Sequence, residues 1–97
     1  MVTREQTLAE LKLFVKDYGL DFGIERLGVF GSVARGMAND ESDVDIVVRM
    51  NTPNLFKLSR MRIELEERLN QHVDLVSYRP RMNAFLKERI DQEACYV

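Results

Sequence analysis

At 97 residues the chain has the size of one compact domain. Apolar side chains at 45% and charged ones at 31% exclude a disordered or low-complexity tail. A net charge of −2, from 14 basic and 16 acidic residues interspersed along the chain, excludes a sequence-wide attraction to nucleic acid. No apolar run approaches the roughly 20 residues of a membrane span, and Met1 to Gly19 is charged and periodic rather than signal-like, so a cytoplasmic protein without membrane association is expected.

Between Thr3 and Tyr18, Leu8, Leu11, Val15 and Tyr18 recur at spacings of three and four, which predicts a helix with Thr3 as N-cap and Gly19 as its stop. Arg26 to Phe30 reads as a buried strand ending at Gly31-Ser32, followed by a short helical turn through Val33, Ala34 and Arg35. After a polar connection, Asp43-Val-Asp-Ile-Val-Val48 alternates as a strand covered on one face would. Asn54 is placed to cap an amphipathic helix from Leu55 to Leu69, with Leu58, Met61, Ile63, Leu65 and Leu69 among its apolar positions. His72 to Tyr78 reads as a third strand, Arg79-Pro80 breaks it, and Asn83 to Ala94 reads as a closing helix with Phe85, Leu86 and Ile90 inward. With no repeat and no linker, residues 1–97 form a single α/β (α+β) domain in this reading. The single Cys95 has no partner for a disulfide or a zinc pair.

Residues two apart on a strand share a face, so Asp43 and Asp45 point the same way while Val44, Ile46 and Val48 pack. Two carboxylates about 5 Å apart repel by roughly 3 kcal/mol at an effective dielectric near 20, and a divalent cation with hard oxygen ligands, Mg²⁺ above all, would compensate them. By itself Asp-x-Asp more often marks a solvated edge strand. Its context shifts the reading. Gly31 lets backbone amides approach a phosphate and Ser32 offers a hydroxyl, while Asp74, a lone acid in the apolar strand Val73 to Val76, adds a third carboxylate. Three acids around one or two metal ions would hold a nucleoside triphosphate and assist deprotonation of an incoming hydroxyl. His72, Lys57, Arg60 and Arg62 read as surface or packing residues, and Met50, Met61 and Met82 as packing.

Gly31-Ser32-Val-Ala-Arg35-Gly36, then Ser42-Asp43-Val-Asp45 and Val73-Asp74-Leu-Val, resembles the polymerase-beta-type nucleotidyltransferases. More narrowly, the ten residues between Gly-Ser and Asp-x-Asp make the chain similar to the minimal nucleotidyltransferase (MNT) antitoxins, over nearly its whole length. The resemblance implies a small mixed β-sheet flanked by helices. It implies that Gly31, Ser32 and Arg35 bind nucleotide, that Asp43, Asp45 and Asp74 are catalytic and bind Mg²⁺, and that ATP is the donor. It further implies a prokaryotic antitoxin that transfers AMP to a hydroxyl, a tyrosine, of a cognate HEPN ribonuclease toxin. The chain ends about twenty residues after Asp74, so the acceptor surface is expected from a partner protein. Two other readings stand beside this one: neutralisation of the partner by binding alone, and nucleotidyl transfer to a small molecule.

Overall fold

The computed structural model describes residues 2–39 and 41–97. Its elements run α1 (Arg4–Phe22), β1 (Ile24–Phe30), α2 (Gly31–Ala34), β2 (Val44–Met50), α3 (Leu55–Leu69), β3 (Val73–Ser77), α4 (Ala84–Glu93) and β4 (Cys95–Tyr96). The strands form one sheet in the order β3-β2-β1-β4. β1 runs antiparallel to β2 and β4, and β2 runs parallel to β3. The expected mixed sheet flanked by helices is the one observed.

α1 begins at a capping box: the Thr3 hydroxyl accepts from the Gln6 amide at 3.1 Å, and the Gln6 side chain accepts from the Thr3 amide at 3.0 Å. The helix does not stop at Gly19 but runs one further turn to a left-handed cap at Gly23. A mid-helix glycine costs up to about 1 kcal/mol. Burying an aromatic side chain returns roughly 1.5–3 kcal/mol, and that last turn carries Phe22 into the core, stacked on Phe14 with ring centroids 6.0 Å apart. α3 has its expected bounds, because the Asn54 carboxamide accepts from the amides of Phe56 and Lys57 at 2.9 and 3.1 Å.

The sheet has two unequal faces. Leu11, Phe14 and Phe22 of α1 and Met61, Leu65 and Leu69 of α3 pack on Val29, Val44, Ile46, Val48 and Val73 to form the main core. Arg68 ties the two helices together outside it, donating to Asp17 at 2.8 Å and to Glu64 at 3.3 Å. On the opposite face α4 covers a smaller cluster of Phe30, Val47 and Ile90, joined at its edge by Val76, Tyr78, Met82 and Leu86.

β2 is covered on both faces, not on the one its alternation predicts, since Val47 is as fully buried as Ile46. It is an interior strand, not an edge. Phe85 and Ile63, expected on apolar faces, are 81% and 53% exposed. The two-residue strand β4 was not anticipated. It pairs with Gly28 and Val29, where a side chain on residue 28 would meet the Cys95 carbonyl. No helix among the described residues is long and apolar enough to cross a membrane.

Candidate active site

The sheet register assembles the acidic residues. Phe30, the last residue of β1, pairs with Asp45 on β2, and Asp45 pairs with Asp74 on β3. Adjacent strands lie about 4.8 Å apart, so the Gly-Ser turn, Asp45 and Asp74 form a row across three strands at one end of the sheet. Asp43 lies just before β2, opposite His72, and its Oδ1 is 3.4 Å from His72 Nδ1. Asp43, His72 and Asp74 are exposed, whereas Asp45 is half-buried. Alternation along β2 continues on the acids' side as Val47, which α4 covers. The carboxylates therefore occupy the uncovered end of a face that is otherwise roofed.

Gly31 turns the chain from β1 into α2 with φ +74, the left-handed region that L side chains rarely adopt. A Cβ there would fall on the Asp45 carboxylate. Glycine is thus required twice over, for the turn and for room beside the acid. Ser32 is half-buried in this turn, and Arg35 caps α2 with its side chain exposed.

Asp45 holds its proton more tightly than an ordinary aspartate, first because burial penalises the anion and then because Asp74 and Asp43 add like charge; the guanidinium groups of Arg89 and Arg35 oppose this. Among the described residues, no three acidic, histidine or cysteine side chains are gathered into a ready-made metal cage. Mg²⁺ does not require one, because it takes one or two carboxylates and completes its shell with water and substrate phosphates. A half-buried carboxylate under like-charge stress beside an exposed second acid fits such an ion.

Two contributors at this end were missed by sequence reasoning, and both lie on α4. Arg89 is close enough to affect Asp45 and sits 5.9 Å from the centre of the Phe30 ring. Glu93 accepts from the Gly31 amide at 3.2 Å and from Arg35 Nη1 at 2.9 Å. The available signal was the helical spacing of 85, 89 and 93, which lays these positions along one flank of α4. Which flank faces the acids depends on how the helix crosses the sheet, and that is not written locally.

Residues 8–96 match the nucleotidyltransferase domain. The chain belongs to this family. It is 35% identical over 98 residues to the protein adenylyltransferase MntA of Thermococcus cleftensis, an alignment covering 100% of this chain and 98% of that protein. A solved structure described as a candidate minimal nucleotidyltransferase superposes with a TM-score of 0.80 at 33% identity, covering 97% of this chain and 95% of the other. A solved complex of a tri-AMPylated HEPN toxin from Shewanella oneidensis with an MNT antitoxin contains a chain matched at a TM-score of 0.71 and 18% identity, over 97% of this chain and 71% of that one. This last likeness is one of fold alone. The nucleotidyltransferase family and its polymerase-beta-like fold agree with the motif spacing from Gly31-Ser32 through Asp43 and Asp45 to Asp74.

Proposed function

We propose that this nucleotidyltransferase moves AMP from ATP onto a hydroxyl of a partner protein, a tyrosine of a HEPN ribonuclease toxin, and silences it as its antitoxin. The observation that carries the reading is the register in which Asp45 stands between the Phe30–Gly31 strand end and Asp74. The direction comes from relatives: a protein adenylyltransferase that aligns along the whole chain, and an MNT antitoxin complex whose toxin carries AMP groups.

In the transfer, the acceptor oxygen bonds to the α-phosphorus of ATP while the bond from that phosphorus to the departing pyrophosphate oxygen breaks. The hydroxyl proton passes to Asp74, whose exposed carboxylate can hand it on to water. The Gly31 amide, the Ser32 hydroxyl and the Arg35 guanidinium hold the polyphosphate by charge-assisted hydrogen bonds. Asp43, Asp45 and Asp74 would hold one or two Mg²⁺ ions, which supply charge neutralisation at the attacked phosphate. The unfavourable anion at Asp45 accords with this role, since a divalent cation relieves the repulsion from Asp74.

The test is intact-mass analysis of the co-produced HEPN partner after incubation with ATP and Mg²⁺. One or more adenylyl increments are expected with the wild-type chain and none with Asp43→Asn or Asp45→Asn. The modified toxin should stay inactive after the antitoxin is stripped away. An unmodified partner that is neutralised equally well by the Asp43→Asn and Asp45→Asn variants would replace transfer by simple binding.

A further inference from the structure

The donors assigned above to the triphosphate are not idle in this structure. The Gly31 amide and the Arg35 guanidinium converge on a single carboxylate, that of Glu93, at 3.2 and 2.9 Å. A backbone amide and a guanidinium aimed at one anion form a donor pair suited to a phosphate oxygen. Here that anion is supplied from 62 residues away in the chain.

The backbone carrying Glu93 is fixed on both sides. Three residues earlier Ile90 is fully buried in the cluster under α4, and its carbonyl accepts from the Ala94 amide at 2.9 Å. Two residues later Cys95 is paired with Val29 in the sheet. The helix end cannot withdraw without breaking the β1–β4 pairing. The Glu93 side chain is 22% exposed, and its rotatable bonds leave it able to swing outward. It also adds negative charge at an end of the sheet that already holds Asp43, Asp45 and Asp74.

We propose that Glu93 is an internal competitor for the phosphate-binding turn: its carboxylate holds Gly31 and Arg35 in the nucleotide-free protein, and a polyphosphate binds by displacing it. The proposal rests on the nucleotidyl-transfer reading and deepens it. Competition keeps the cationic turn satisfied when no nucleotide is bound and makes affinity the difference between two anions. A strut would behave oppositely, because removing it would loosen the turn and weaken nucleotide binding.

Calorimetric titration separates the two. Glu93→Gln keeps the shape and an acceptor for the Gly31 amide while removing the charge that pairs with Arg35. Affinity for inorganic tripolyphosphate without divalent ions, and for ATP with Mg²⁺, should rise about tenfold, the scale of one lost charge-assisted competitor. In an Arg35→Ala background the same change should yield a much smaller gain. Unchanged or weaker binding by Glu93→Gln, or an equal gain without Arg35, overturns the proposal. Should the variant melt early, the wild-type chain carries the test by NMR. The Gly31 amide and the Glu93 carboxyl carbon should shift together along one saturation curve as tripolyphosphate is added, and a stationary Glu93 signal overturns the proposal. Absence of ATP binding in every variant overturns the nucleotide reading along with the competitor. Binding that ignores Glu93 overturns the competitor alone.

Discussion

β2 is read differently from its two sides. Val44, Ile46 and Val48 enter the large core beneath α1 and α3, while Asp45, Val47 and Arg49 face the side that α4 roofs only across its middle. One face is packed along its whole length and the other is left open at the end where the acids stand. Stability thus resides mainly on one side of the strand and the proposed chemistry on the other. This division explains how two carboxylates are tolerated near an interior strand: the half-buried acid stands at the strand's entrance, where solvent reaches it, and its unfavourable charge is one that the proposed cation would relieve.

Substitutions one residue apart should break or sharpen that contrast. The largest effect is expected from Asp45→Asn, which should lower adenylyl transfer more than about a thousandfold, equivalent to about 4 kcal/mol of barrier. The same change should raise the melting temperature of the metal-free protein above neutral pH. The folded-state proton affinity of Asp45 is raised, so the native protein binds this proton more readily than the unfolded chain does. Stability from this group is therefore gained as pH falls through the raised value and lost as pH rises through it. Asparagine removes that loss. A melting series against pH on both proteins checks the sign.

Next comes the core face. Ile46→Ala should cost about 2–5 kcal/mol in urea unfolding, because Ile46 is fully enclosed in the main cluster. Val47→Ala, in the smaller cluster beneath α4, should cost less than the like-sized and equally buried Val48→Ala in the main cluster. Equal losses at the two valines would contradict the division between the faces. Gly31→Ala lies between the two effects. Its strained φ should cost about 1–3 kcal/mol, and its methyl group must push the Asp45 carboxylate aside, so stability and transfer should fall together.

The smallest expected change comes from Arg89→Ala, which removes a cation that favours the Asp45 anion. Asp45 should then hold its proton to higher pH, and the pH below which Mg²⁺-dependent ATP binding is lost should move upward. Titrations at a series of pH values measure this. No movement would show that Arg89 is electrostatically remote from the acids.

Legibility in the sequence followed the range of each interaction. Local determinants were readable: the Thr3 and Asn54 caps, the alternation that separates Asp43 and Asp45 from Val44 and Ile46, and the break at Arg79-Pro80. Features decided by distant partners were not. Gly19 looks like a helix stop until Phe22 is seen to need the next turn for its burial. β4 has only two residues, too few for any periodicity, and exists because Gly28 leaves room for it. Phe85 sits at helical spacing from Arg89 on α4, and only the crossing of that helix over the sheet keeps its ring in solvent. Within the candidate site, Gly31, Ser32, Asp43, Asp45 and Asp74 were legible as a spacing, and the direct neighbour relation of Asp45 and Asp74 came from strand order. Glu93 and Arg89 carried only a shared helical spacing, because their contribution depends on a helix returning over β1.

The open end of the acidic face is the proposed metal-dependent nucleotide site. That assignment is tested most directly by calorimetric titration of ATP into the wild-type chain and into Asp45→Asn, each with and without Mg²⁺. Mg²⁺ should strengthen ATP binding to the wild type about tenfold, and the variant should lose this enhancement while remaining folded with a higher melting temperature. Equal enhancement by Mg²⁺ in both proteins would contradict the assignment.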